Sequence, residues 1–412
     1  RLEVVLCHGH QRGEQDSRAG EPDQPVAGAA LQDEVGLQFY FKNDGQNPSA
    51  SFKDRGMASA LSYINFMVQE GHLSDVLAIC ASTGDTSAAA ALYASYLPGV
   101  KSAVLLPHKK VTPQQLSQPL GSGADVFEIP GVFDDCMKVV EALSEQYNVA
   151  LLNSKNAWRI LGQESYSYEI AQDFEYDVSP LAVVVPIGNA GNITAVLSGF
   201  LKFFEAGVIN GLPKILGVQS EHANPVYRYY LEPASQKRQF KPVTVKPSVA
   251  QAAMIGNPVS MPRVIHLVDR YNQMAGQQRV FFIDVAEQDI MDWEIIANRN
   301  GHIACTHGGE SLAGLVGALR RGVLTDSEVA VVKSTAHALK FAEFQEMYFQ
   351  QQFPPEYNVQ TDSNLVNAPV YVHPEDLEQL PAPGKPLTGK AFEIFVRRVS
   401  QDIAGYLKLK KR

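Results

Sequence analysis

Short apolar runs rich in β-branched residues alternate with helical stretches along most of this chain. VLAIC at 76–80, LAVVVP at 181–186 and EVAVVKS at 328–334 are clear examples, and turn-forming residues bound each of them. Uninterrupted apolar runs of this kind are typical of parallel strands that are buried on both faces and joined by helices. The pattern predicts an α/β fold with two open, mostly parallel sheets, helices on both faces, and a ligand cleft between a larger and a smaller domain.

The predicted organisation has four parts. Residues 1–34 are interpreted as an irregular N-terminal segment, 58–150 as the smaller α/β domain, and 35–57 with 151–345 as the larger, cofactor-binding domain. Residues 346–412 are Pro-rich and then helical, and we expect this C-terminal extension to pack on the larger domain. The strand candidates are residues 36–42, 76–80, 102–107, 124–131, 149–153, 181–186, 213–219 and 328–334.

Composition excludes several classes of protein. The 412 residues are 45% hydrophobic and carry a net charge of −9, which argues against wholesale disorder and against a general nucleic-acid binder. The four cysteines lie far apart without a CxxC pair, so we expect neither a disulfide scaffold nor a metal site. Free cysteines suit a reducing compartment, and we expect a cytoplasmic location. Because no apolar run is long enough to span a bilayer, we expect no membrane association.

The loop after LAVVVP is the first candidate for ligand binding. Its small residues would let backbone N–H groups converge on an anion at the start of the following helix, which predicts a phosphate site. The spacing matches neither GxGxxG nor GK[ST], and a simple strand-to-helix turn is the alternative. The candidate residues are Gly188, Asn189, Ala190, Gly191 and Asn192.

Lys53 in NPSASFKDRG is the second candidate. Ser49 and Ser51 are interpreted as residues that open a helix, which would place Lys53 in the first turn, where the helix dipole disfavours a cation. A lysine there suits an amine with a lowered pKa that forms an imine, helped by the neighbouring Arg55. The alternative is a surface lysine paired with Asp54.

Three further loops carry polar side chains after predicted strands. STGDTSA would present hydroxyls and N–H groups to a carboxylate, with helix capping by Thr86 or Asp85 as the alternative or as an additional role. Ser334 and Thr335 would place a hydroxyl at a strand end facing the cleft, whereas His337 is interpreted as structural. Ser154, Asn156 and Arg159 cluster after another strand and could bind a second anion.

Four of these motifs together carry a resemblance to a known family. NPSASFKDRG, STGDTSA, PIGNAGN and KSTAHALKF, in this order over about residues 35–340, resemble the threonine synthases among the fold-type II pyridoxal-phosphate enzymes. NSKNAWRILGQ favours this family over dehydratases or cysteine synthases. The resemblance implies conversion of O-phospho-L-homoserine and water to L-threonine and phosphate by γ-elimination and β-addition, and a homodimer. A threonine or serine dehydratase, another β-replacing enzyme and a non-catalytic paralogue are the alternatives.

The resemblance also implies a role for each candidate residue. Lys53 would form the Schiff base with pyridoxal 5'-phosphate and move protons, and the 188–192 loop would hold the cofactor phosphate. Asp85 would lie beside the phenolic oxygen of the cofactor, and Thr335 would bond its pyridine nitrogen. The substrate carboxylate would be bound by Ser82, Thr83 and Thr86, and the substrate phosphate by Ser154, Asn156, Arg159 and an unidentified lysine.

Three features depart from the family pattern. Ser49-Ala50 replaces the usual Thr-Gly, and we expect little effect because both changes are small. Many family members have Asn at the position of Asp85, and a carboxylate there would repel the cofactor phenolate unless a proton is shared or held nearby. The N-terminal Thr-Pro-Leu segment of the family is not recognisable in the first forty or so residues.

Overall fold

The computed structural model describes residues 26–82, 84–108, 113–131, 133–153 and 156–411. The candidates Thr83 and Ser154 therefore lie outside the described residues. The chain divides into two compact units, one that ends at Leu365 and one that begins at Val366. Among the described residues, no helix combines the length and apolar character that a membrane span requires.

Two parallel sheets form the frame of the first unit and confirm the predicted fold class. The larger sheet has the strand order β1-β9-β6-β7-β8, and the smaller one has the order β4-β3-β2-β5. Every pairing within them is parallel. The strands are β1 Phe39–Asn43, β2 Leu77–Ala81, β3 Lys101–Pro107, β4 Asp125–Ile129, β5 Val149–Leu151, β6 Leu181–Pro186, β7 Lys214–Ser220, β8 Val280–Val285 and β9 Val329–Ser334.

Helices cover the sheets and connect their strands. Within the described part of the chain the α-helices are α1 Val26–Val35, α2 Lys53–Gln69, α3 Asp85–Ser95, α4 Pro113–Gly121, α5 Phe133–Gln146, α6 Ala157–Gln163, α7 Ser165–Asp173, α8 Gly191–Glu205, α9 Pro225–Tyr230, α10 Met261–Ala275, α11 Glu287–Arg299, α12 Thr306–Arg320, α13 Ala342–Phe349 and α14 Gly389–Tyr406.

Burial explains which strands the sequence shows most clearly. All six residues of β6 are buried, as expected for a central strand covered by helices on both faces. The eight strand candidates all coincide with strands, but β8 was not predicted. It lies at one edge of the larger sheet and only half of its residues are buried, so its apolar run is a weaker signal.

The N-terminal part of the described chain differs from the prediction, whereas the C-terminal helix agrees with it. A helix occupies Val26–Val35, so the prediction of irregular chain is wrong for these residues; Leu31 within it is fully buried in the core of the larger sheet. In the first unit, residues after 346 are anchored by Arg299, whose guanidinium donates to the carbonyls of Asn364 and Leu365 at 2.7 Å each. In the second unit, α14 confirms the predicted C-terminal helix.

Candidate active site

The carboxyl ends of neighbouring strands bring the candidate loops together. In the larger sheet β9 pairs with both β1 and β6, so the segments that follow these three strands leave from one edge. In the smaller sheet β2 pairs with β5, which brings the Ser82–Thr86 region near the segment that contains Arg159. Each candidate segment thus follows the carboxyl end of a strand, where ligands bind in open α/β sheets.

Lys53 lies at the start of a helix, as predicted. It is the first residue of α2, and its N–H donates to Ser51 Oγ at 3.3 Å. The preceding residue, Phe52, donates its N–H to the carbonyl of Thr335 at 2.8 Å. The N–H of His337 donates to the carbonyl of Ala50 at 3.0 Å. These bonds hold the start of α2 directly against the end of β9.

The surroundings of Lys53 favour a neutral amine. The pKa of Lys53 is lowered from 10.5 to about 7, chiefly by burial and next by the positive charge of Arg159; Lys333 and Lys340 add smaller lowering effects, and Asp85 opposes them. The lowered pKa agrees with the predicted direction, but the cations that cause it are Arg159, Lys333 and Lys340 rather than the predicted Arg55.

Arg55 is neutralised by acidic partners of its own. Its guanidinium is 2.7 Å from Asp44 and also donates to Glu169 at 2.5 and 2.7 Å. Asp44 lies 3.2 Å from the fully buried Nζ of Lys333, a residue that the sequence did not single out. Asp44 is thus the shared partner of Arg55 and Lys333.

The surface alternative for Lys53 does not agree with the structure. Asp54 is fully buried and its carboxylate accepts hydrogen bonds from Ser49, from the N–H at 2.7 Å and from the hydroxyl at very short range. Lys53 itself is partly buried, and its Nζ lies 4.3 Å from the centre of the Phe52 ring.

Two glycines allow α2 and α6 to approach closely. A Cβ at Gly56 would lie 2.9 Å from the carbonyl oxygen of Arg159. A Cβ at Gly162 would collide with the carbonyl oxygen of Arg55. Arg159, on α6, is 1% exposed. Its Nη1 donates to the carbonyl of Leu152 at 2.9 Å. Its Nε has no hydrogen-bond partner among the described residues. The guanidinium therefore retains a donor for a ligand.

Asn156 has a structural role in the same segment. Its Oδ1 accepts from the N–H groups of Trp158 and Arg159, which caps α6, and its Nδ2 donates to the carbonyl of Leu151 at 3.0 Å. Both polar atoms of the side chain are thus engaged with the backbone. Asn156 fixes the start of the helix that carries Arg159, and its predicted contact with substrate stays a prediction.

The 188–192 loop has the properties of an anion site. It joins β6 to α8, whose first N–H groups have no partner within the helix, and Ala190 adopts a left-handed φ of 61° at the N-cap. A Cβ at Gly188 would lie 2.9 Å from Ala253 Cα. The amide nitrogen and oxygen of Asn192 are both buried without a hydrogen-bond partner among the described residues. These orphaned groups favour a bound ligand over a simple turn.

The hydrogen bonds around Ser82 and at the start of α3 differ from the predicted ones. Ser82 Oγ accepts from the N–H of Gly84 at 3.2 Å, and Gly84 is the N-cap of α3 with no side-chain capping bond. The capping alternative for Thr86 and Asp85 is therefore wrong. Thr86 is buried, and Asp85, 5% exposed, lies with Oδ1 3.1 Å from Lys340 Nζ.

The end of β9 supplies two hydroxyls. Ser334 Oγ is buried without a partner among the described residues, and Thr335 Oγ1 is 3.7 Å from Cys305 Sγ. His337 Nδ1 accepts from the N–H of Leu339 at 3.2 Å, in agreement with its structural interpretation. Lys340, the partner of Asp85, was missed although it lies in the KSTAHALKF motif, because a motif does not reveal which side chains meet.

Curated relatives of this chain are threonine synthases. Threonine synthase 2, chloroplastic, of Arabidopsis thaliana is 35% identical over 306 residues, which is 74% of this chain and 57% of the relative's length. The threonine synthase of Methanocaldococcus jannaschii is 35% identical over 311 residues, 75% of this chain and 73% of that protein.

Solved structures show the same fold. The threonine synthase of Escherichia coli superposes with a TM-score of 0.61 at 24% identity, over 80% of this chain and 72% of that one. Maize serine racemase gives 0.61 at 16% identity, over 79% and 91%. The model of the family described as pyridoxal-phosphate dependent enzyme matches residues 22–335. This chain therefore belongs to the family of pyridoxal-phosphate dependent enzymes.

Proposed function

We propose that this protein is a threonine synthase, which converts O-phospho-L-homoserine and water to L-threonine and phosphate. The relatives of that name support the reaction. The observation that carries the proposal most is the environment of Lys53. Its pKa is lowered to about 7, and the positive charge of the buried Arg159 is one of the main causes. A nucleophilic, largely neutral amine near a guanidinium suits a phosphorylated amino-acid substrate.

The residues fit pyridoxal phosphate, the cofactor of this family. The orphaned amide of Asn192 and the free N–H groups at the start of α8 match the needs of a phosphate. Lys53 would hold the cofactor through its Nζ, Thr335 would bond the pyridine nitrogen, and Asp85 would face the phenolic oxygen. When bound, the cofactor supplies an electron sink that spreads negative charge from the substrate α carbon.

The side chains of the chain would then perform the remaining steps. Lys53 Nζ takes the proton from the substrate α carbon and later returns one to it. Ser82 and Thr86 hold the substrate carboxylate. Arg159 binds the substrate phosphate and stabilises it as it leaves from the γ carbon. This departure also requires that a proton is removed from the β carbon and that one is delivered to the γ carbon; water then adds its hydroxyl at the β carbon. Thr83 and Ser154 retain their predicted roles as part of this proposal.

Product analysis distinguishes the proposed reaction from its alternatives. Purified protein loaded with pyridoxal phosphate is incubated with O-phospho-L-homoserine or with L-threonine, and phosphate, ammonia and threonine are quantified. We expect equal amounts of phosphate and threonine from the first substrate. Ammonia from threonine without phosphate release would indicate a dehydratase, and no turnover of either substrate would favour a non-catalytic paralogue.

Replacement of Arg159 tests the proposed phosphate site. Arg159→Gln should raise the KM for O-phospho-L-homoserine by about 10- to 100-fold, because one charge-assisted contact is lost. Inhibition by unphosphorylated L-homoserine should change far less. Equal weakening of both ligands in steady-state kinetics would remove Arg159 from the phosphate site.

We also propose a homodimer and a cytoplasmic location. All three described cysteines, Cys80, Cys136 and Cys305, are free and buried, which suits a reducing compartment. Light scattering of the purified full chain would measure its mass, and a monomer at micromolar concentration would contradict the dimer.

A further inference from the structure

Lys340 contacts three polar groups that lie far apart in the sequence. It lies in the short 3₁₀ helix Ala338–Phe341 that follows β9, and its side chain is 14% exposed. Its Nζ donates to the carbonyl of Ser49 and to Oε1 of Gln118, each at 2.8 Å, and lies 3.1 Å from Asp85 Oδ1. The first two contacts are hydrogen bonds and the third is an ion pair, because Asp85 Oδ1 has no hydrogen-bond partner among the described residues.

The partners of Lys340 come from separate parts of the site. Asp85 begins α3 and Gln118 lies on α4, which both belong with the smaller sheet. Ser49 lies in the loop that leads to Lys53, beside the larger sheet. Gln118 Nε2 also donates to the carbonyl of Ser49, at 3.1 Å, so the three groups form a closed ring. One side chain thus links both sheets where the site is formed.

The charge of Lys340 matters because Asp85 is buried. A buried carboxylate that loses its partner retains most of the desolvation cost without the compensating attraction. Lys340 is the cation that the structure places in contact with this carboxylate. An amide of the same shape at position 85 would not need a cation, so the two residues should be energetically coupled.

We propose that Lys340 is a positioning residue that fixes Asp85 and holds the two sheets together around the site. The inference rests on the proposed function for the meaning of Asp85 beside the cofactor. Its first test uses cofactor-free protein and is independent of which reaction occurs. Failure of the proposed reaction would therefore leave this test decisive.

The first test is a double-mutant cycle on thermal unfolding of the cofactor-free full chain. Lys340→Met should lower the midpoint by about 4 °C or more, because Asp85 loses its partner. Adding Asp85→Asn to that variant should restore most of the loss. Lys246→Met, at an exposed lysine, is the matched control and should change the midpoint little.

The outcomes of the cycle are distinct. A loss no larger than that of Lys246→Met, or a further loss when Asp85→Asn is added, would overturn the proposal. If Lys340→Met alone yields no folded protein, recovery of folded protein in the double variant supports the proposal, and no recovery contradicts it.

The second test measures the bound cofactor by equilibrium dialysis and absorption. Lys340→Met should raise the dissociation constant of pyridoxal phosphate about tenfold, the equivalent of one lost charged contact, and shift the visible absorption band. Lys340→Arg, which retains the charge, should show most of the original cofactor affinity and most of the original absorption band. Unchanged affinity and an unchanged band in Lys340→Met would show that Lys340 has no positioning role.

Discussion

Lys53 owes its proposed reactivity to neighbours that are remote in the sequence. The motif places it at a helix start, but burial and the charge of Arg159, from the α6 helix more than a hundred residues later, are the largest causes of its lowered pKa. Arg55, two residues away, is paired with Asp44 and Glu169 and is not among the main causes of this shift. A sequence pattern can therefore identify the lysine but not the origin of its chemistry.

The titration of Lys53 is directly measurable in cofactor-free protein. A pKa lowered from 10.5 to about 7 means that the amine is largely neutral above pH 7. Labelling of Lys53 with an acylating reagent, followed by peptide mass spectrometry from pH 5 to 10, should show a rate that rises with a midpoint near 7. Arg159→Gln should move the midpoint upward. A midpoint above 9 in the unmodified chain would contradict this environment.

Ala50 is strained, contrary to the expectation that its replacement of Gly has little effect. It adopts a φ of 62°, a left-handed conformation that a Cβ disfavours and glycine adopts freely. Ala50→Gly should therefore stabilise the protein by about 1 kcal/mol in urea unfolding. Ala58→Gly, within α2, should lose about 1 kcal/mol through helix propensity. Similar losses for both would show that Ala50 is unstrained.

At the scale of elements, the close contact between α2 and α6 brings the helix that carries Lys53 against the helix that carries Arg159. Gly56 and Gly162 let the two backbones approach, so that Lys53 and Arg159 become electrostatic neighbours. The glycines are visible in the sequence within the KDRG and RILGQ strings. Their packing role is not, since nothing in either string indicates that these helices touch.

Gly162→Ala should separate these helices. The new methyl group would collide with the carbonyl of Arg55 and approach Ser59 Cβ at 2.6 Å, so we expect a loss of about 1–3 kcal/mol of stability and a clear loss of activity. Gly121 ends α4, and a Cβ there would meet no atom within 4 Å. Gly121→Ala is therefore the control and should retain both stability and activity. Urea unfolding and steady-state rates measure the effect; equal behaviour of the two variants would refute the packing role.

Parallel strands were predictable because burial on both faces leaves long apolar runs, as in β6 and β9. Their order was less accessible. Residues 35–57 were predicted to belong to the larger domain, but the pairing of β1 with β9 there was not predicted. Pairing of strands so far apart depends on tertiary packing rather than on local pattern. The same holds for α1, whose buried face is set by the core it joins.

At the scale of the whole molecule, the loops of the site were predictable and their cross-contacts were not. Small and polar residues after apolar runs marked the Asn192, Asp85 and Thr335 segments. Lys340 and Ser49, in contrast, are 291 residues apart and meet only through the fold. The predicted domain boundaries, and the packing of the C-terminal extension, stay predictions.

The covalent position of the cofactor tests the central claim most directly. Holoprotein is reduced with borohydride, which traps a lysine–aldehyde linkage, and digested for peptide mass spectrometry. We predict that the added mass lies on Lys53 alone and is absent in Lys53→Ala, which should also lose the visible absorption. An adduct on the neighbouring amines of Lys333 or Lys340 instead, or no adduct in protein that retains the cofactor, would contradict the assignment.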